Sequence, residues 1–93
     1  MPDPSPDFKP KGRAELVFRQ LEDEWVIFDP ASNRLHALNL TGALIWDYCD
    51  GDRTLREIAE VVRDAFAERG EDVDVLADVI ATAASFRAEG LLA

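Results

Sequence analysis

The hydrophobic pattern of the chain changes its period near Asn39. Before this residue, apolar residues stand in short runs rich in β-branched and aromatic side chains, such as WVIF (25–28), as they do in strands. After it, apolar side chains recur three and four residues apart, which is the spacing of one helical face. Because the two patterns occupy separate parts of the chain, they predict a small sheet followed by helices.

Three segments before Asn39 are predicted strands. The segments AELVFRQL (14–21) and EWVIFD (24–29) flank the charged pair Glu22-Asp23, which is typical of a β-hairpin. The segment DPASN (29–33) has the chemistry of a turn, with Asn33 suited to a left-handed conformation. RLHAL (34–38) follows as a third strand, so we expect an antiparallel meander with open edges.

Three segments after Asn39 are predicted helices. The first spans residues 40–48, with Asn39 and Thr41 as N-cap groups and Gly51 as a left-handed end. The second begins at a capping box formed by Thr54 and Glu57 and continues to Gly70.

The third predicted helix runs from about Asp74 to Glu89 and ends at Gly90. Its inward-facing side chains are expected to be Leu76, Val79, Ile80, Ala83 and Phe86. Leu91 and Leu92 are expected to fold back onto the core. The fold class is therefore α+β, with a three-stranded antiparallel β-meander followed by three α-helices, which is the content of a winged-helix domain whose wing strands come first.

The chain divides into a Pro-rich arm and one folded domain. Residues 1–13 carry four of the five prolines and no apolar periodicity, which predicts a flexible arm that is either disordered or extended. Residues 14–93 form the predicted domain. The arm has no apolar core segment like that of a secretory signal, and no segment approaches the roughly 20 apolar residues that span a bilayer.

The charge of the chain limits its partners. The net charge is −9, and residues 35–93 hold twelve acidic and five basic side chains. Such a field repels nucleic acid and anionic lipid, so we expect neither as a partner. A single cysteine cannot form an internal disulfide, and the reducing cytoplasm is the expected location.

The side chains that carry chemistry are sparse and separated. One His and one Cys, without paired metal-ligand motifs, predict no metal and no cofactor. His36 is interpreted as a structural or rim residue and not a catalytic one, and Cys49 as a small hydrophobic residue near a helix end. The sequon Asn39-Leu40-Thr41 has no meaning in a cytoplasmic protein, and a helix cap explains these residues better than an anion site. We therefore expect a binding protein and not an enzyme.

The open sheet suggests how such a protein binds. A short edge strand such as residues 34–38 offers unpaired N–H and C=O groups to an incoming peptide, and a helix beside it would complete a groove. This mode of binding is β-strand addition. Alternatively, the edge is covered by the N-terminal arm or by a second copy of the domain.

An ordered set of motifs across residues 14–92 resembles the PqqD-like family, whose small peptide-binding domains are also called RiPP recognition elements. The motifs that carry the resemblance are Leu38-Asn39, Thr41-Gly42, Ile45-Trp46, Asp50-Gly51, Thr54, Glu57-Ile58, Asp78-Val79, Phe86 and Gly90-Leu91-Leu92. The chain departs from the family pattern at Thr82, where a bulkier apolar residue is common, and at Ala83, where Leu is common.

The resemblance implies a winged-helix-like domain that binds the leader segment of a ribosomally made precursor peptide beside its third strand. It also implies presentation of that peptide to a modifying enzyme, often a radical SAM protein, or to a leader peptidase. The Leu-Asn-x-Thr-Gly region favours a relative from a peptide pathway other than PQQ synthesis. Carried over by position, the peptide-binding residues are Arg34, Leu35, His36, Ala37, Leu38, Val75, Asp78, Val79 and Thr82.

Two other functions are compatible with a three-stranded meander followed by three helices. A winged-helix DNA-binding regulator is disfavoured because the third helix begins with EDVDVLADV, which holds four acids and no base. A generic dimerisation module is compatible with the open sheet edge. We expect a monomer or a weak homodimer.

Overall fold

The computed structural model describes residues 3–65 and 75–93. A three-stranded antiparallel sheet in the order β1-β2-β3 precedes the helices, which confirms the predicted fold class. The strands are β1 (Val17–Leu21), β2 (Glu24–Asp29) and β3 (Arg34–Leu38), and the helices are α1 (Leu40–Asp47), α2 (Leu55–Ala65) and α3 (Val75–Ala88). β1 begins three residues later than the sequence pattern predicts. Phe66, the predicted helix end at Gly70 and the acidic run 71–74 lie outside the described residues.

The two turns of the sheet each contain a residue with positive φ. Glu22, at the hairpin tip between β1 and β2, has φ 51°, and Asn33, before β3, has φ 59°. The prediction for Asn33 is thus confirmed. The two residues differ in cost because asparagine visits the left-handed region readily and glutamate does not.

Replacing Glu22 with glycine is expected to stabilise the protein. Glycine removes the steric cost of the left-handed backbone, so Glu22→Gly should raise the free energy of unfolding by about 1 kcal/mol. Chemical denaturation measures this change, with Asn33→Gly as the matched control that should change it by less. Equal effects at both sites would contradict the explanation.

The starts of α1 and α2 are capped by side chains. Asn39 is the N-cap of α1, and its Oδ1 accepts a hydrogen bond from the Gly42 N–H at 2.8 Å. Thr41 lies inside the first turn instead, so the prediction of a second capping group there was wrong. The capping box of α2 is confirmed, since the Thr54 N–H donates to Glu57 Oε1 at 3.0 Å and the Glu57 N–H donates to Thr54 Oγ1 at 3.1 Å.

The ends of α1 and α3 use glycine differently. Gly51 has the predicted left-handed backbone (φ 85°), but α1 is already capped at Tyr48, so Gly51 shapes the following turn. Gly90 (φ 75°) lies two residues after the end of α3, and the Leu91 N–H donates to the Phe86 carbonyl at 2.9 Å, which is the bond of a Schellman motif. This motif turns Leu91 back into the core, as predicted.

The core lies between the inner face of the sheet and the three helices. Trp46 of α1 packs edge-on against Phe86 of α3, with ring centroids 5.4 Å apart. The buried apolar side chains come from every helix and from the central strand, and they are Ile27, Ala43, Ile45, Cys49, Leu55, Ile58, Ala59, Val62, Val79, Ala83, Phe86 and Leu91.

The described part of the N-terminal arm contains a turn at Pro6-Asp7, closed by the hydrogen bond from the Phe8 N–H to the Ser5 carbonyl, and lies against the helices. The Leu55 N–H donates to the Phe8 carbonyl at 2.9 Å, and the Arg56 N–H donates to the Pro6 carbonyl at 3.0 Å. The arm therefore satisfies two backbone donors of the first turn of α2, which have no partner inside the helix. Gly12 lies so close to Trp46 that a Cβ atom there would be 2.6 Å from Trp46 Cη2.

Candidate functional site

β3 is an edge strand. Among the described residues it pairs only with β2, with Ile27 opposite His36 and Phe28 opposite Leu35, so its other side faces away from the sheet. In the described part of the arm, the backbone hydrogen bonds run to residues 49–56 and 91–93 rather than to β3. The arm thus leaves the edge open. The side chain of Leu35, in the same strand, is also exposed, with 68% of the residue's surface accessible.

A groove runs between β3 and α3. It consists of two open cavities of about 510 and 340 Å³ that share Ala37, Leu38, Ser85 and Phe86. The larger cavity extends toward the C-terminal end of α3, and the smaller one extends toward the start of α1. The groove follows the strand along its length, which is the geometry that an added strand requires.

The groove has a polar end and an end lined by small residues. At the polar end, His36 Nδ1 contacts Glu89 Oε2, so a side-chain pair joins β3 to the end of α3. The His36 side chain is 10% exposed and that of Glu89 is 50% exposed, so the carboxylate borders the open space. At the other end, Ala81 and Thr82 line the helix side, and the Thr82 hydroxyl donates to the Asp78 carbonyl at 2.8 Å.

The structure brings together most of the residues that the resemblance implies. The five residues of β3 line the groove, and Thr82 lines its smaller cavity. Val75 and Asp78 lie nearer the N-terminal end of α3 and do not line either cavity. Val79 is fully buried in the core, with no accessible surface, so its side chain does not reach the groove.

Sequence reasoning missed several residues on the helix side of the groove. Ala81, Ser85 and Ala88 lie four and three residues apart along α3 and form a stripe of small side chains. Their spacing was the available signal, since small residues on a helix let another backbone approach closely. The other groove residues not predicted are Asn39, Gly42, Phe86, Glu89 and Leu91.

Cys49 is buried near the end of α1 and is not in the groove. Burial raises the pKa of its thiol to about 12, and the neighbouring Asp50 adds to this effect. The thiol donates a hydrogen bond to the Ile45 carbonyl at 3.3 Å. Because the thiolate is the nucleophile, a thiol with so high a pKa is inert at neutral pH.

We expect Cys49 to react with thiol reagents only after the protein unfolds. The folded pKa lies above the ordinary value of 9.0, so this group also stabilises the fold below about pH 9 and lowers stability as the pH rises beyond that. Labelling at pH 8 with and without denaturant measures the difference. Rapid labelling of the native protein would contradict the observed burial.

Two further features bear on chemistry and location. The described residues contain no group of three or more His, Cys, Asp or Glu side chains that could hold a metal ion. In the same ranges, no helix has the length and apolar character needed to cross a membrane.

The fold and the groove together define a small α+β domain with an open strand edge beside a helix. The sequence matches the family of coenzyme PQQ synthesis protein D (PqqD) over residues 24–92, well over half of the chain, and the protein belongs to this family. The resemblance seen in the sequence motifs is thereby confirmed.

Comparison with solved structures supports the fold. The domain is similar to the structure of "TbiB1 in Complex with the TbiA(beta) Leader Peptide", with a TM-score of 0.64 and 23% sequence identity. The match covers 88% of this chain and 93% of that chain. A search of curated proteins gave no match.

Proposed function

We propose that this domain binds the leader segment of a ribosomally synthesised precursor peptide by β-strand addition at β3. The observation that carries the proposal is the open edge of β3 flanked along its length by the groove beside α3. Membership of the PqqD family supports it, as does the similarity to a domain solved with a leader peptide.

The backbone of β3 supplies affinity in this proposal, and the groove supplies selection. An added strand pairs with the free N–H and C=O groups of the edge, whatever its sequence. Its alternate side chains point into the groove, where Leu38 and Phe86 provide apolar surface.

The peptide-contacting surface consists of β3 and the exposed side of α3. Of the helix residues that the resemblance implies, Thr82 is best placed to touch a peptide. Ser85 and Glu89, which the resemblance does not imply, also line the groove. Val79 supports the groove from the core beneath it, because its side chain is fully buried. Val75 and Asp78 would be reached only by a peptide that extends beyond the smaller cavity, past the end of β3 and toward the N-terminal end of α3.

A further part of the proposal is that the bound leader is presented to a peptide-modifying enzyme, such as a radical SAM protein, or to a leader peptidase. Strand addition holds the leader along one edge of the domain and leaves the peptide on either side of it free. A tethered substrate of this kind reaches an enzyme at a high effective concentration.

Calorimetric titration with the leader of a precursor peptide encoded beside the gene tests the proposal. We expect a 1:1 complex with a dissociation constant of about 1 μM or tighter, which corresponds to roughly 8 kcal/mol. A scrambled leader of the same composition is the control. Absence of binding to every precursor leader encoded nearby would refute the proposal.

A further inference from the structure

The sheet has a second face that the helices do not cover. Ile27 is buried in the core, and its cross-strand partners Phe18 and His36 lie on the same inner side. Since side chains alternate between faces along a strand, the neighbouring residues point to the opposite side. This outer face comprises Val17, Arg19, Leu21, Glu24, Val26, Phe28, Leu35 and Ala37.

The outer face is largely apolar. The register places Val17, Phe28 and Leu35 in one row across all three strands, with Val26 in the centre of the next row. These four side chains do not belong to the core cluster or to the partly buried residues packed against it. Leu21, at the end of β1, is 56% exposed. Val17, Val26 and Phe28 are half-buried and Leu35 is exposed, so apolar side chains of all three strands reach the surface of this face.

The hairpin tip adds negative charge beside this face. Glu22, Asp23 and Glu24 are consecutive and exposed. None of the three forms an ion pair with another residue in the described ranges 3–65 and 75–93. The surface therefore combines an apolar centre, which carries the cation Arg19 at its edge, with three acidic side chains at the hairpin tip. The complement of the tip is an apolar patch bordered by Lys or Arg.

A second copy of the chain fits this surface poorly. Three strands of about five residues present only about 250 Å² of projected face, so the charges around the face decide which partner it favours. Two copies would also bring acidic tips and two net charges of −9 together. A basic heterologous partner gains from the same charges.

We propose that the outer face and the hairpin tip dock the peptide-modifying enzyme, through an apolar patch of that enzyme bordered by basic residues. This inference rests on the proposed function for the identity of the partner. The inner groove and the outer face lie on opposite sides of the sheet, so the leader and the enzyme can be bound together. Leu35 and Ala37 belong to both surfaces and are left unchanged in the test.

Binding of the purified modifying enzyme encoded beside the gene tests this inference, measured by biolayer interferometry without any peptide. Val26→Glu and the double variant Glu22→Lys/Asp23→Lys should each weaken enzyme binding at least about tenfold, roughly 1.4 kcal/mol. The double variant Glu60→Lys/Asp64→Lys makes the same charge change on the exposed side of α2 and should retain binding.

The same variants are titrated with the leader peptide, and their folding is checked by circular dichroism. We expect leader affinity to be unchanged by the outer-face substitutions, which separates this inference from the proposed function. Unchanged enzyme binding in both outer-face variants would overturn the inference, as would an equal loss in the α2 control or no enzyme binding by the wild-type protein. Self-association that Val26→Glu abolishes, detected by sedimentation, would overturn it in favour of a second copy.

Discussion

Removal of residues 1–12 is expected to lower the free energy of unfolding by about 3–5 kcal/mol. This magnitude counts about 1 kcal/mol for each lost hydrogen bond and adds the loss of apolar burial. The truncation removes the carbonyl partners of two α2 amides, those of Leu55 and Arg56. It also uncovers the Trp46 ring, against which Gly12 packs, and removes the Arg87–Phe8 cation–π contact. A domain of this size has only about 5–15 kcal/mol to lose, so the truncated protein should unfold at much lower denaturant.

Urea denaturation followed by tryptophan fluorescence measures this loss. Lys9→Ala is the matched control, because its side chain is exposed on the same segment and should change stability by less than about 0.5 kcal/mol. An unchanged unfolding midpoint after truncation would show that the arm does not stabilise the domain.

Filling the groove at Ser85 is expected to reduce leader affinity at least about tenfold, which is roughly 1.4 kcal/mol. Ser85 is exposed on α3 and borders both cavities, so the indole of Ser85→Trp would occupy space that a peptide side chain needs. Because Ser85 lies outside the core, the substitution should leave the fold intact.

Calorimetry with the leader peptide measures the effect, and Glu60→Trp provides the matched control. Glu60 is exposed on α2, away from the groove, so the same aromatic side chain there should leave leader affinity unchanged. Equal affinity for the wild type and Ser85→Trp would place the peptide elsewhere on the domain.

The sequence predicts the elements well because their signals are local. The runs of β-branched and aromatic residues, the capping box at Thr54 and Glu57, and the turn at Asn33 each depend on residues only a few positions apart. The docking of the arm has no such signal. It depends on the carbonyls of Pro6 and Phe8 reaching the amides of α2, and backbone groups leave no side-chain pattern in the sequence.

The residues predicted on β3 line the groove, whereas of those predicted on α3 only Thr82 does. The helical pattern places Val79 on the inward face of α3, whereas the family resemblance places it among the peptide-binding residues, and the structure assigns its side chain to the core. Helical spacing shows which residues share a face, but the rotation of α3 against β3 is fixed by packing across the whole core. Val79→Asp would therefore bury a charge and unfold the protein, so it cannot report on peptide binding.

Amide hydrogen exchange with and without the leader peptide tests most directly whether β3 is the strand that binds it. The sheet provides its own control, because β1 is also an edge strand but no helix packs beside it in the described part of the chain. Strand addition at β3 predicts slower exchange at alternate amides of residues 34–38 when the leader is bound, and no change in β1. Protection of β1 instead, or a bound leader that leaves β3 exchange unchanged, would contradict binding at this edge.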